Sequence, residues 1–182
     1  MNQSFDAATL ERARALCVAA HAGQKRDNGA DYAIHPIAIA DLLRARGLAD
    51  TAILAAAYLH DVLEDTSVGQ AKLLEMFGPE ITELVKELTN VGPADRTFAE
   101  KQAALLEHAR QMSRRAKLVK LADRRHNLSE MTVWPDWKQQ RYAQATLELL
   151  EALRPWPDDQ LAEEVRQAAL RYLDFGSSPS SH

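Results

Sequence analysis

Apolar residues along this chain recur at spacings of three and four, and they almost never alternate with polar ones in β-branched runs. That period gives each segment one stripe to bury as a helix and gives a sheet nothing to build on. It predicts helices from Ser4 or Asp6 through Ala22, then Pro36–Arg46, Asp50–Glu64, Gly69–Phe77, Pro79–Thr89, Thr97–Gln111, Ala116–Met131, Trp137–Leu153 and Pro157–Tyr172. In the first of these Leu10, Ala13, Leu16, Cys17 and Ala20 share a face. The stretch GQKRDNGADYAIHP interrupts the pattern, its two glycines and Asp27-Asn28 pair marking a loop before the helix-opening Pro36. With no internal repeat and no linker in 182 residues, the expectation is an all-α, single-domain helical bundle over residues 1–174, followed by a polar tail at 175–182.

Composition narrows the function classes. A chain that is 46% hydrophobic and 26% charged can bury a full core. Its formal charge of −4 argues against a nucleic-acid binder held by bulk electrostatics and leaves room for a local basic pocket. The single cysteine, Cys17, excludes an internal disulfide and suits the reducing cytoplasm; its setting in ARALCVAA reads as a small buried hydrophobe. No signal-peptide pattern and no run of about 18 apolar residues is present, so a cytoplasmic protein without a membrane span is expected.

The stretch AAAYLHDVLEDT runs from a buried-type apolar segment straight into His60, Asp61, Glu64, Asp65 and Thr66. On a helix His60 lies above Glu64 and Asp61 above Asp65, giving two adjacent columns of imidazole and carboxylate. Clustered acids at the negative end of a helix repel one another, and a divalent cation would relieve that repulsion. A solvated helix end capped by Thr66 is the alternative. Two further places favour the cation. YAIHP sets His35 directly before Pro36, where a rigid helix start can project the ring. AKLVKLADRRHNL sets Lys117, Lys120, Asp123 and Asn127 near one stripe, with Leu118, Val119, Leu121, Ala122 and Leu128 over much of the remaining surface. A buried Asp123 needs a cation or a donor.

His35, the pair His60-Asp61 and the distant Asp123 resemble the His…His-Asp…Asp order of the HD superfamily of metal-dependent phosphohydrolases. More narrowly, GQKR…G…Y…HP, AAYLHDVLEDT and KLVKLADRRHNL resemble the hydrolase domain of RelA/SpoT homologues, in particular the stand-alone small alarmone hydrolases, a group that includes the metazoan SpoT homologue. The resemblance covers about His21 to Leu128 and leaves no residues for a synthetase domain. It implies one Mn²⁺ held by His35, His60, Asp61 and Asp123. It also implies Glu64 and Asp65 as the acids that position and deprotonate the attacking water, and a purine nucleotide 3′-pyrophosphate as substrate. Hydrolysis would convert (p)ppGpp to GDP or GTP plus pyrophosphate. Arg26 would stack on the purine and Asn127 would lie beside the nucleotide, with Tyr32, Lys25 and Lys120 as further substrate-binding candidates.

One departure stands out. The family usually follows its stacking arginine with a basic residue, whereas KRDNG places Asp27 there and the spare cation at Lys25. Either the loop turns differently, or the preferred nucleotide is less usual, with (p)ppApp as the obvious variant. For the 5′ phosphates Lys117 with Lys120, Arg124 with Arg125, or Arg114 with Arg115 are all candidates. His126 reads as a surface residue on a face away from Asp123, Trp134 and Trp137 as core packing, and the segment after Leu128 as scaffold. Two other functions remain at this point: an HD nucleotidase acting on 5′-nucleoside monophosphates, and a non-catalytic alarmone-binding module.

Overall fold

A computed structural model describes residues 5–90 and 95–174. These form helices α1 (Ala7–Ala20), α2 (Ile34–Ala45), α3 (Thr51–Leu59), α4 (Val62–Asp65), α5 (Gln70–Leu88), α6 (Phe98–Gln111), α7 (Arg114–Glu130), α8 (Asp136–Ala152) and α9 (Asp159–Asp174), with a 3₁₀ turn at Met131–Val133. Among the described residues the only β pairing is an isolated bridge between Lys25 and Asp31, so the fold is all-α as the periodicity requires. Ser4, one of the two candidate caps, and the tail at 175–182 lie outside the described residues.

Caps fix most helix starts. Asp6 accepts from the amides of Ala8 and Thr9, Asp50 from those of Ala52 and Ile53, and Ser113 from that of Ala116. Thr97 and Glu100 form a reciprocal capping box. Because Ser113 is the cap, α7 starts two residues before the expected Ala116. Helix α2 also starts early, at Ile34, which makes Pro36 its third residue; the first four helical N–H groups have no intrahelical acceptor, so the proline there forfeits no bond. Gly78, at φ 74°, separates the two halves of α5, which is why the sequence reads there as two helices meeting at Gly78-Pro79.

The centre of the bundle is α3, in which every residue from Ala52 to Leu59 is buried. A helix apolar on all sides has no solvent face, and α3 accordingly packs against α1, α2, α5 and α7. Buried apolar residues from Leu10 to Ala169 make one continuous cluster. Cys17 is fully buried within it, and burial with the nearby Asp61 charge pushes its thiol up to about 12, so it stays protonated and inert. On the outside, α8 bridges α6 and α9. Trp134 packs edge-on to Tyr142, but Trp137 is 59% exposed, so only the first of the two tryptophans serves the core.

The expected helix Asp50–Glu64 is broken. It ends at Leu59, passes through His60 and Asp61, and resumes as the single turn α4. His60 Nδ1 sits 2.9 Å from the Ala57 carbonyl, taking an acceptor that a continuing helix would offer to the Asp61 amide. The break aims His60 and Asp61 into the space between α2 and α7.

Candidate metal centre and active site

Three elements converge on that space: the first turn of α2 brings His35, the break after α3 brings His60 and Asp61, and the middle of α7 brings Asp123. His35 Nε2 lies 3.3 Å from Asp123 Oδ1 and 3.8 Å from Asp61 Oδ2. His60 Nε2 lies 3.1 Å from Asp61 Oδ2 and 4.0 Å from Asp123 Oδ1. His35, His60 and Asp123 are all buried and offer ligand atoms close enough to share one ion. Donating from Nδ1 to the Ala57 carbonyl leaves His60 with a lone pair on Nε2, and that atom is buried without a hydrogen-bond partner. An orphaned imidazole nitrogen facing a second imidazole and two carboxylates fits a borderline divalent cation.

The electrostatics agree. Burial pushes the His60 pKa down, but Asp61 and Asp123 more than reverse this and raise it to about 9. Burial also opposes charge on Asp61 and Asp123, yet His60 holds the first, and His35 with Lys120 the second, well below the usual carboxylate range. The anionic pair thus demands positive charge, which a proton on His60 Nε2 supplies unless a cation takes that lone pair instead.

Glu64 and Asp65, adjacent on α4, face different partners. Glu64 Oε2 accepts from Asn90 through its backbone amide at 3.0 Å and its side chain at 3.1 Å. Burial raises the Glu64 pKa, the Asp61 and Asp65 charges add to this, and the Asn90 bond opposes it. Asp65 instead joins Asp61 through Tyr32, whose hydroxyl lies 2.7 Å from Asp65 Oδ2 and 2.8 Å from Asp61 Oδ2. Behind Tyr32 the ring of His21 stacks at 4.6 Å, and Gln24 ties that histidine to the Asp65 carbonyl.

Arg26 lies over Tyr32 at 5.5 Å, and its guanidinium donates to Glu130 at 2.8 and 3.1 Å and to Asn127 Oδ1 at 2.7 Å. Asn127 in turn donates to Asp123 at 2.6 Å, so the loop arginine is joined to the metal cluster through one amide. Lys120 is buried 3.7 Å from Asp123. Lys25 pairs with Asp31 at 2.5 Å with both side chains exposed, and it lines the same cavity as Arg26 and Tyr32.

Asp27 is paired 2.9 Å from Lys138, which sits over the Trp134 ring; the Lys138 bond lowers its pKa. The acid at the expected basic position is therefore matched by a lysine 111 residues away. Of the candidates for the 5′ phosphates, Lys117 reaches the Arg154 carbonyl, Arg114 the Pro157 carbonyl, and Arg115 pairs with Asp50 and Glu80. Arg125 lines a groove of about 670 Å³ between α7 and α9 that contains none of the candidate ligands. Arg124 stacks on Tyr142 and lines a cavity of about 750 Å³ shared with Glu64, Asn90, Arg96 and Lys101. A smaller cavity of about 190 Å³ is walled by Arg26, Tyr32, Asn127, Glu130 and Trp134, with Tyr142 on the rim of both. Trp134 and Tyr142, from the segment after Leu128, thus line cavities beside the candidate site.

His126 is not a surface residue facing away. Its Nδ1 lies 2.9 Å from His35 Nδ1 and 3.5 Å from Glu130 Oε2. Burial, then the proximity of His35, lowers its pKa to about 4, which leaves the ring neutral. The signal was present in the spacing, because residues three, four and seven beyond Asp123 on a helix, here His126, Asn127 and Glu130, lie on the same side.

The HD domain family model matches residues 13–154. This chain belongs to the HD-domain family. Among its relatives, the Xenopus tropicalis guanosine-3′,5′-bis(diphosphate) 3′-pyrophosphohydrolase MESH1 is 34% identical over 161 residues, covering 83% of this chain and 88% of that protein. A GTP pyrophosphokinase rsh of Brucella ovis is 35% identical over 175 residues, which is 92% of this chain and only 23% of that protein. The chain thus spans about a quarter of the length of such relatives. A solved structure, described as a metazoan ortholog of SpoT that hydrolyzes ppGpp and plays a role in starvation responses, superimposes with a TM-score of 0.83 at 26% identity. It covers 92% of this chain and 97% of that one, so the structural likeness extends well beyond the span of the three sequence blocks.

Proposed function

We propose that this chain is an Mn²⁺-dependent hydrolase that removes the 3′-pyrophosphate of guanosine alarmones, returning GDP or GTP and releasing pyrophosphate, with residues 1–174 acting as one catalytic unit. The observation that carries the reading is the unpartnered Nε2 of buried His60, facing His35, Asp61 and Asp123 beside two further acids. The MESH1 relative, whose name states this reaction, matches along nearly its full length, which supports the choice of substrate.

His35, His60, Asp61 and Asp123 would hold the ion. When bound, it withdraws charge from the phosphoryl oxygens and acidifies water. Arg26, held flat by Glu130 and Asn127, offers its guanidinium face to the purine in the 190 Å³ cavity. Arg96, Lys101 and Arg124 around the larger cavity provide positive potential for the phosphates. Water forms the new bond to phosphorus, the bond from phosphorus to the ribose 3′ oxygen breaks, and that oxygen leaves with a proton. Asp65, anchored by Tyr32, and Glu64, with its raised pKa, are placed to take the water's proton. The ion pair with Lys138 removes the repulsion Asp27 would otherwise impose on an anionic substrate. Stacking accepts either purine, so adenosine analogues belong in the test.

The test is incubation of the Mn²⁺-loaded protein with guanosine and adenosine 3′-pyrophosphates, assaying pyrophosphate. Pyrophosphate from the guanosine substrate is expected. Its absence with both, phosphate release from 5′ monophosphates instead, or tight binding with no turnover would each reject the reading in favour of another function.

A further inference from the structure

Ligation through Nε2 requires a lone pair on that atom, so the proton of a neutral His35 ring must sit on Nδ1. His35 is 1% exposed, and a buried N–H without an acceptor is costly. The acceptor that the structure supplies is His126 Nδ1, 2.9 Å away, with the two rings tilted at 59° and their centroids 4.9 Å apart. His126 sits three residues beyond Asp123 on α7, so the same helix delivers one candidate ligand and the support of another. Glu130, one turn further on, lies 3.5 Å from the same nitrogen of His126 and also accepts from Arg26.

We infer that His126 is a positioning residue for the metal centre: it accepts the Nδ1 proton of His35, and so fixes the tautomer and ring orientation that present Nε2 to the ion. This rests on the metal-centre reading and assigns to His126 no contact with substrate. Outer partners of this kind typically change metal affinity by about 10- to 100-fold when removed.

The geometry sets apart three substitutions. The side-chain oxygen of asparagine reaches the place of Nδ1, that of glutamine falls nearer Nε2, and leucine has no acceptor. The experiment is Mn²⁺ titration of the full chain, following free Mn²⁺ by electron paramagnetic resonance, with circular dichroism to check folding. His126→Asn should bind within about threefold of the unsubstituted protein, whereas His126→Gln and His126→Leu should bind about 10- to 100-fold more weakly. Should the leucine variant fail to fold, the asparagine and glutamine pair decides. Equal affinity in all variants, or equal loss in asparagine and glutamine, overturns the inference while leaving the metal site intact. No Mn²⁺ binding by the unsubstituted protein would remove the metal site itself, and the role of His126 with it.

Discussion

His60 puts its two nitrogens to separate uses. Nδ1 bonds the Ala57 carbonyl where α3 ends, while Nε2 lies 3.1 Å from Asp61 and faces both carboxylates. The same ring thus makes the local structure and one wall of the site. Asp65 has a comparable economy: its side chain is held by Tyr32 and its carbonyl by Gln24, so the carboxylate is presented in a fixed direction. Removing its basicity while keeping its shape should separate chemistry from assembly. Asp65→Asn is expected to lower turnover by about 10²- to 10⁴-fold, the usual contribution of general base catalysis, with Mn²⁺ affinity within a few-fold of the parent. Glu64→Gln should act in the same direction, and steady-state kinetics beside a Mn²⁺ titration checks both. Unchanged turnover in the double variant would exclude these acids as bases.

At the level of elements, the packing of α7 against α2 and α3 assembles the centre, and peripheral ion pairs hold the frame. Arg46, just past the end of α2, bonds Asp158 at 3.1 and 3.2 Å and Glu164 at 2.9 Å, tying α2 to the start of α9. Burial raises the Asp158 pKa, but the Arg46 bonds outweigh it and leave it lowered. A carboxylate with a depressed folded-state pKa contributes stability above its unfolded value near 4, and that contribution disappears as pH falls through the folded value. Arg46→Ala should therefore cost about 1 kcal/mol at pH 7 and progressively less below about pH 4. Urea denaturation at both pH values measures this; a cost independent of pH would assign the loss to packing alone. Helix existence was legible in the chain because the signals are local: Asp6, Asp50, Thr97 with Glu100, and the Gly78-Pro79 step each act within a few residues. The break at His60 was not, since Ala57 to Glu64 are all compatible with helix and no glycine or proline marks the interruption.

Across the whole molecule, what could be read in advance was the set of residue types, and what could not was their pairing through space. Residue types and helical spacing raised the possibility of a cation, and the resemblance to the HD order His…His-Asp…Asp named the four candidate ligands. The support of His35 by His126, the pairing of Asp27 with Lys138 and the bond from Glu64 to Asn90 depend on helix crossings and loop paths. So does the diversion of Lys117, Arg114 and Arg115 to structural partners. The bundle's single core fixes these crossings, and with them the position of the centre at the meeting of α2, α3 and α7. The most direct test is diffraction from crystals grown with Mn²⁺, recorded at the manganese absorption edge. The account predicts one anomalous peak bonded to the Nε2 atoms of His35 and His60 and to carboxylate oxygens of Asp61 and Asp123. A strong peak elsewhere, or none at saturating Mn²⁺, would contradict it.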